Sequence, residues 1–321
     1  MLKSVCCIAL SLAVSRAAGA QSPSVTVTPD QPLPGSIVRF TLTTAGARND
    51  SVVAVRGTMA GEPLRFLLAD SGRFHAIGGV PVDASDSVAA TVFVHRASSA
   101  VDTLHVSIAI PPVEVPTTEP KLAVAAQFTR PLDAKTQARI ARENERARAV
   151  GRKAHESPPM WTAAFLRPRS SRVTSEFGTG RMFNGTMASR HLGVDYAGAQ
   201  GAEVRAANRG VVALVDTFFL AGRLIYIDHG GGVVTGYFHL SKPLVAKGDT
   251  VSRGKLIGLV GATGRVTGPH LHWTARYGAL TVNPLDLLGL DLGWYSGQLS
   301  ATRSKPEPAS LRPRPEPGRH R

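Results

Sequence analysis

The sequence predicts an all-β protein in which two β domains are joined by a helical linker. Glycine and proline are plentiful, with 32 and 22 residues in a chain of 321, and aromatic residues make up only 6%. Val- and Thr-rich runs of strand length recur between turn residues, whereas one Ala-, Arg- and Glu-rich segment has a helical composition. A chain of this length can bury two separate cores.

The first predicted element is a secretory signal peptide over residues 1–20. A basic start precedes an apolar run from Val5 to Val14, and Ala18-Gly19-Ala20 has the small-residue pattern of a cleavage site. The run is too short to span a bilayer, which takes ~20 apolar residues. Both cysteines, Cys6 and Cys7, lie within this segment. We therefore expect an exported protein, periplasmic or secreted, with no transmembrane segment, no disulfides and no thiolate metal ligands.

Residues 21–112 are predicted to form a small immunoglobulin-like β-sandwich. Short alternating runs such as 37–42, 51–55 and 90–94 are separated by turn residues, a spacing typical of sandwich strands. The histidines of this region stand singly and without a partner at ligand spacing, so we interpret them as structural: His75, His95 and His105. The sequence thus indicates a domain that packs against, positions or covers its neighbour.

The linker, residues 113–160, begins Pro-rich and contains a basic helix predicted from Asp133 to Val150, with Gly151 as its C-terminal cap. Its arginines could contact nucleic acid, but no aromatic residues alternate with them, which favours a solvated connecting helix and no nucleic-acid partner. The formal net charge of +14 and pI near 10.5 suit an acidic partner such as nucleic acid, anionic lipid or an anionic wall polymer, without selecting one.

Residues 161–292 form the predicted catalytic domain, followed by a disordered, basic, Pro-rich tail over 293–321. Strand-like runs include 211–215, 223–228 and 255–260. The glycines between Gly261 and Gly268 lack the Gly-Lys-Ser/Thr ending of a phosphate-binding loop and no helix pattern follows, which excludes a nucleotide site.

Five of the ten histidines fall in this domain: His191, His229, His239, His270 and His272. His270 and His272 share one face of a strand, ~6–7 Å apart. His191 and Asp195 would lie ~13 Å apart on an extended chain, but Gly193 permits a curl that brings His191 back.

Two imidazoles and one carboxylate form the three-ligand set of a catalytic zinc site, with the fourth position left for water. His191, Asp195 and one of the His270/His272 pair are the candidate ligands. The other strand histidine and His239 are then left as acid–base groups. The spacing leaves open which of His270 and His272 binds the metal.

These motifs resemble the lysostaphin/LytM-type zinc metallopeptidases, which cut peptide cross-links in peptidoglycan. The resemblance covers about residues 161–290 and rests on Thr174 to Gly178, His191 to Ala197, Thr235 to Ser241 and His270-Leu271-His272. It implies an antiparallel β-sheet or barrel-sandwich fold with a duplicated hybrid motif, and one Zn²⁺ per chain. Trp273-Thr274 departs from the Phe-Glu that often follows in the family.

The resemblance also implies the roles of the site residues. His191, Asp195 and His272 correspond to the zinc ligands, and His239 and His270 to the two catalytic histidines. His229 is expected to be structural or to support the site from outside, and Arg181 and Asn184 are expected to line the cleft. A fuller resemblance, including the sandwich, is to exported members with an N-terminal immunoglobulin-like domain.

The function predicted is therefore a zinc metalloendopeptidase that acts on peptidoglycan peptide stems. One alternative is a catalytically inactive LytM-like protein that binds the wall or activates an amidase, but such proteins are expected to have lost ligands. Another is a phosphoryl-carrier or lipoyl-type β domain, which would need one reactive His or Lys in a cytoplasmic chain. The sequence leaves open the bond cut, occlusion of the cleft by the N-terminal domain, the choice between own and foreign walls, and the oligomeric state.

Overall fold

The computed structural model describes residues 22–44, 50–70, 72–113, 124, 128, 131–183 and 186–290. The predictions for the signal peptide with Cys6 and Cys7, the tail over 293–321, Asn184 and most of the Pro-rich linker lie outside these residues. The described part of the chain is mostly antiparallel β-sheet, which confirms the all-β prediction. None of its helices has the length and apolar character needed to cross a membrane.

The N-terminal region contains two four-stranded antiparallel sheets that share one apolar core. Its strands are Ser24–Thr28 (β1), Ile37–Thr43 (β2), Val52–Met59 (β3), Glu62–Arg65 (β4), Leu67–Asp70 (β5), Arg73–Gly79 (β6), Ser87–Arg96 (β7) and Val101–Ala109 (β8). The sheet orders are β1-β2-β6-β5 and β4-β3-β7-β8. Alternate side chains of β7, from Val88 to Val94, face the core, as the period of two requires. A two-sheet sandwich is thus present, and its immunoglobulin-like type stays a prediction.

Two of the sandwich histidines have threonine partners across the sheet. Nδ1 of His75 lies 3.0 Å from the Thr41 hydroxyl oxygen, and Nδ1 of His105 lies 3.4 Å from that of Thr91. Cross-strand polar pairs of this kind stabilise a sheet without needing any ligand. The structural interpretation fits both residues.

The linker contains helix α1, Ala134–Lys153, which begins at Asp133 because the Asp133 carboxylate accepts a hydrogen bond from Thr136 N at 2.6 Å. The prediction that Gly151 caps the helix is wrong, since the helix continues to Lys153. A Cβ at Gly151 would lie 1.8 Å from the carbonyl oxygen of Gly278. Glycine is needed here because the helix packs closely on the C-terminal domain. In the sequence, a glycine required for such a contact cannot be told from a glycine that caps a helix.

Helix α1 lies across the C-terminal domain, as expected of a connecting helix. Its buried Ala147 packs in an apolar cluster with Leu224 and Tyr226 of that domain. The helix arginines are largely engaged with carboxylates, in the pairs Arg139–Glu143, Arg146–Asp216 and Arg152–Glu145. A helix whose charges are paired in this way offers less free positive surface to an anionic polymer.

The C-terminal domain is built on a ten-stranded sheet. Its strands, with those of a separate hairpin, are Val173–Ser175 (β9), Gly180–Phe183 (β10), Thr186–Arg190 (β11), Val194–Ala197 (β12), Glu203–Arg205 (β13), Gly210–Phe218 (β14), Gly222–Asp228 (β15), Val233–Pro243 (β16), Thr250–Val251 (β17), Leu256–Val260 (β18), His270–Tyr277 (β19) and Leu280–Val282 (β20). The main order is β17-β14-β15-β16-β19-β12-β9, and β10 pairs with β11. Strand β19, which carries the His-x-His motif, therefore lies between β16 and β12.

The sandwich docks on this domain through both apolar and polar contacts. Ile37 and Ile77 belong to the same buried cluster as the core of the C-terminal domain. The buried carboxylate of Glu62 accepts a hydrogen bond from Ala279 N at 2.8 Å, and Ile37 N donates to Asp286 at 2.8 Å. The short 3-10 helix Pro284–Gly289, which carries Asp286, closes the domain at this boundary.

Candidate metal centre and active-site cleft

The register of the sheet brings Asp195 and His272 together. Strands β12 and β19 are antiparallel neighbours, and Asp195 lies directly opposite His272. Residues opposite each other in an antiparallel pair point to the same face, with their Cβ atoms ~4.5–5.5 Å apart. The Asp195 Oδ1 and His272 Nδ1 atoms therefore meet at 2.8 Å, across 77 positions of sequence.

His191 reaches the same point because the chain curls before β12. Its Nε2 lies 3.1 Å from Asp195 Oδ1, so the curl predicted at Gly193 is present. The structure adds a second reason for glycine at this position. A Cβ at Gly193 would lie 2.5 Å from the imidazole atoms of His272, which makes Gly193 the residue that lets the curl pass beside the ring.

The three candidate ligand atoms form a small triangle. Its sides are 3.1 Å from His191 Nε2 to Asp195 Oδ1, 2.9 Å from His191 Nε2 to His272 Nδ1, and 2.8 Å from His272 Nδ1 to Asp195 Oδ1. Ligands held at the ~2.0–2.2 Å that zinc prefers lie ~3.4 Å apart around a tetrahedral centre. Outward shifts of a few tenths of an ångström would fit an ion, and two imidazole nitrogens with one carboxylate oxygen are a donor set that zinc accepts.

Neighbouring groups orient each ligand. Nδ1 of His191 donates to the carbonyl oxygen of Glu176 at 2.8 Å; since a carbonyl can only accept, Nε2 is the nitrogen left with a lone pair. The two oxygens of Asp195 are divided in a similar way. Oδ1 faces the imidazoles, while Oδ2 accepts a hydrogen bond from the Arg181 guanidinium at 2.6 Å. Arg181 thus lines the cleft, as expected, and also holds a candidate ligand.

The protonation states suit ligation. Burial raises the pKa of Asp195, but the neighbouring His191 and His272 outweigh burial and hold that pKa well below its usual range. Burial lowers the pKa of His272 to about 4, against the opposing effect of Asp195. The carboxyl group is therefore ionised and the His272 imidazole neutral at neutral pH, the forms in which each binds a metal.

His239 and His270 stand beside the triangle in matching orientations. Nδ1 of His239 donates to the Thr263 carbonyl oxygen at 2.8 Å, and Nδ1 of His270 to that of Gly268 at 2.9 Å. Both rings therefore present an Nε2 lone pair. The ring centroids are 4.9 Å apart. Within the described residues, Nε2 of His270 is buried without a hydrogen-bond partner and lies 3.6 Å from Asp195 Oδ1.

His239 also shows backbone strain. Its φ is 60°, in the left-handed region, although it is not glycine, and such residues occur preferentially at functional sites. Burial, and then the charges of His272 and His270, lower the pKa of His239 well below its ordinary value. A strained, buried and neutral imidazole is a costly arrangement that packing alone does not require.

His229 lies apart from this centre. It is fully buried, its Nδ1 donates to the Arg209 carbonyl oxygen at 2.7 Å, and its Nε2 lies 2.8 Å from the Thr235 hydroxyl oxygen. Its ring packs edge-on against Phe165. Of the two expectations for His229, the structure favours the structural one.

A cleft of about 1130 Å³ runs past the centre. Its lining includes Asp195 and His270 and, from the sandwich, Leu33, Pro34 and Ser36. Sequence analysis identified neither this contribution of the sandwich nor Arg265, which also lines the cleft. Neither has a local motif, because the cleft is assembled from residues that are distant in sequence.

A candidate site for one metal ion, with two further histidines beside it on an antiparallel sheet, has the residues that a metal-dependent hydrolase needs. Residues 189–284 match the family model described as Peptidase family M23, and this part of the chain belongs to that family. The match includes all five predicted site residues: His191, Asp195, His239, His270 and His272.

Two relatives are similar to this chain in sequence over about 100 residues. The chain is 46% identical over 103 residues to the peptidoglycan DD-endopeptidase ShyA of Vibrio cholerae, and this alignment covers 32% of this chain and 24% of that protein. It is 45% identical over 97 residues to the DD-carboxypeptidase/endopeptidase Mpg of Neisseria meningitidis, which covers 30% and 22%. The chain thus spans less than a quarter of the length of these relatives.

A solved structure from Pseudomonas aeruginosa, described as a peptidase M23, extends the similarity to most of the fold. It covers 81% of this chain and 96% of its own, with a TM-score of 0.59 and 26% sequence identity. The likeness therefore includes more than the C-terminal domain.

Proposed function

We propose that the chain is a zinc-dependent metalloendopeptidase that hydrolyses peptide cross-links of bacterial peptidoglycan through a metal-activated water. The observation that carries the proposal is the triangle of His191 Nε2, Asp195 Oδ1 and His272 Nδ1, with sides of 2.8 to 3.1 Å. The family match over residues 189–284 and the names of the relatives support the reaction and the substrate.

These three residues would hold one Zn²⁺ per chain. When bound, zinc polarises the scissile carbonyl and lowers the pKa of a water molecule so that it attacks at neutral pH. Asp195 offers Oδ1 alone, because Arg181 occupies Oδ2. One carboxylate oxygen and two imidazole nitrogens would supply three ligands, the number that catalytic zinc sites take from the protein, and a water molecule would supply the fourth.

His239 and His270 supply the proton transfers. A neutral imidazole with its lone pair on Nε2 can take a proton from the attacking water, and the imidazolium can then donate it to the departing amine. The other imidazole can donate a hydrogen bond to the oxygen of the tetrahedral intermediate only in its protonated form, in which Nε2 carries a hydrogen. Anchoring of both Nδ1 atoms on carbonyl oxygens keeps the Nε2 atoms directed at the reacting groups. The amide C–N bond breaks, and the products are a carboxylate and an amine.

The chain charge and the predicted signal peptide agree with this substrate. Peptidoglycan lies outside the cytoplasmic membrane, so the proposal requires an exported enzyme, periplasmic or secreted. The formal net charge of +14 favours association with an anionic wall. The proposed partners are thus the peptide stems of peptidoglycan.

The test is digestion of purified sacculi of known cross-link type, with the products identified by mass spectrometry. We expect cross-linked muropeptides to be converted to uncross-linked ones by the purified protein, with about one zinc per chain. Removal of the metal with a chelator should stop the reaction, and zinc should restore it. Protein that binds sacculi but leaves every cross-link type intact would favour a non-catalytic wall-binding protein or amidase activator.

A further inference from the structure

The cleft beside the metal centre carries an excess of arginine. Its charged lining comprises four arginines and three acids: Arg172, Arg181, Arg190 and Arg265, with Glu176, Asp195 and Asp286. The arginines come from two parts of the chain, since Arg265 lies on the loop before β19 and the others on the segment that leads to β12.

Two of the three acids are already engaged by the protein. Asp195 is divided between the metal triangle and Arg181. Asp286 accepts a hydrogen bond from Ile37 N at the domain boundary, and burial raises its pKa. Glu176 is exposed to solvent. The interior of the cleft is therefore electropositive near the candidate metal centre, and the field of such a cleft concentrates anions.

Of these arginines, Arg181 contacts the candidate metal centre through Asp195, and Arg265 lines the same cleft. Burial, and next the positive charge of Arg181, lower the pKa of Arg265. Two guanidinium groups close to each other in a partly desolvated site repel one another, and a bound anion would relieve that repulsion. Because Arg181 is bonded to a candidate ligand, such an anion would lie within a residue or so of the scissile amide.

We propose that Arg265, with Arg181 beside it, binds a free carboxylate of the substrate on the residue that supplies the leaving amine. Arginine suits this role because its planar group matches a carboxylate with two parallel hydrogen bonds. The inference rests on the proposed function and narrows its substrate. A D-Ala–diaminopimelate cross-link has a carboxylate on the carbon that bears the leaving amine, whereas a bridge cut between glycines has no charged group there.

The test uses two synthetic cross-linked peptides that differ only at this group, carboxylate in one and carboxamide in the other. We expect wild type to cleave the carboxylate form with a kcat/KM higher by roughly 10- to 100-fold, the range of a charge-assisted hydrogen bond. In Arg265→Gln the rate on the carboxylate form should fall to that on the carboxamide, which should itself change little. Arg265→Lys should keep part of the preference.

Arg205→Gln is the matched control, since Arg205 lies outside the cleft lining and pairs with Glu203 at 2.6 Å. It should discriminate between the two peptides as wild type does, and all variants should keep the zinc content of wild type. Equal cleavage of both peptides by wild type, or unchanged discrimination in Arg265→Gln, would overturn the inference and leave the proposed function standing. If neither peptide is cleaved, the proposed function fails, and equilibrium binding of the two peptides to wild type and Arg265→Gln decides the inference.

Discussion

The two β domains have similar strands but bury different chemistry. The core of the sandwich is apolar from Val38 on β2 to Ile108 on β8. Among the described residues, the one buried charged side chain that the sandwich contributes is Glu62, and it contacts Ala279 of the neighbouring domain. The C-terminal domain buries several titratable groups in its own interior: His191, Asp195, His229 and His239.

The two domains have similar strand patterns, so the pattern does not show which of them carries the site. The domain that carries the site is distinguished by its buried titratable side chains. Burial of an imidazole or a carboxylate is unfavourable unless a partner compensates it. The C-terminal domain provides such partners, from the Glu176 carbonyl for His191 to Arg181 for Asp195. The sandwich instead keeps His105 on an exposed face. If the comparison holds, substitution of a histidine in the C-terminal domain should change zinc binding, activity or stability, whereas substitution of an exposed histidine in the sandwich should change none of them.

The largest effect is expected for His191→Ala. It removes one of three candidate ligand atoms and should abolish zinc binding and lower peptidoglycan hydrolysis by more than about 10³-fold, because the metal activates the water. Zinc content by elemental analysis and muropeptide release measure the two losses. His105→Ala in the sandwich is the control and should match wild type in both. Zinc retained at wild-type level in His191→Ala would break the comparison.

A smaller and more selective effect is expected for His239→Ala. This side chain lies beside the triangle but is not one of its corners, since its Nδ1 donates to Thr263. The variant should therefore keep about one zinc per chain while kcat falls by roughly 10²- to 10⁴-fold, the usual range for a lost acid–base group. Loss of zinc together with activity would make His239 a ligand or a folding residue.

The strands and the metal motifs could be predicted because their signals are local. Alternation of Val and Thr predicts strands such as β7, and the His191-to-Asp195 spacing with Gly193 predicts a curl. Spacing alone could not decide between His270 and His272, and the resemblance selected His272. The register of the sheet favours the same residue. Asp195 lies opposite His272 in the sheet register, whereas Nδ1 of His270 is engaged by Gly268.

The walls of the cleft could not be predicted, because they depend on packing between distant residues. Ile37 and Asp286 meet across 249 positions of sequence, and Ser36, beside Ile37, thereby comes to line the cleft. Gly151 shows the same limit at a helix end. A glycine at this position of the sequence fits a C-terminal cap. The reason for the glycine is the contact with Gly278, which exists only after the helix has docked.

The smallest effect is expected for substitution of His229, and it concerns stability. This residue tests whether a buried histidine of the C-terminal domain can serve the structure alone, without a part in the chemistry. Burial lowers its pKa to about 4 in the folded chain, against ~6.5 when unfolded. Between these values the unfolded state binds more protons, so the stability that neutral His229 contributes is fully present above pH ~6.5 and is lost as pH falls toward 4. The free energy of unfolding should fall by about 2 kcal/mol from pH 7 to pH 5 because of this group.

His229→Asn removes that titration and should flatten the dependence by the same amount, measured as urea-unfolding free energies at the two pH values. His229→Gln provides a second variant if the first folds poorly. His105→Asn should keep the wild-type dependence, because that side chain is exposed on β8. The other buried histidines are the same in wild type and variants. The difference between variant and wild type in the pH dependence of the unfolding free energy therefore measures the contribution of His229. Equal pH dependence in wild type and both His229 variants would show that this imidazole is hydrated when folded, and the contrast between the two domains would then hold only at the metal centre.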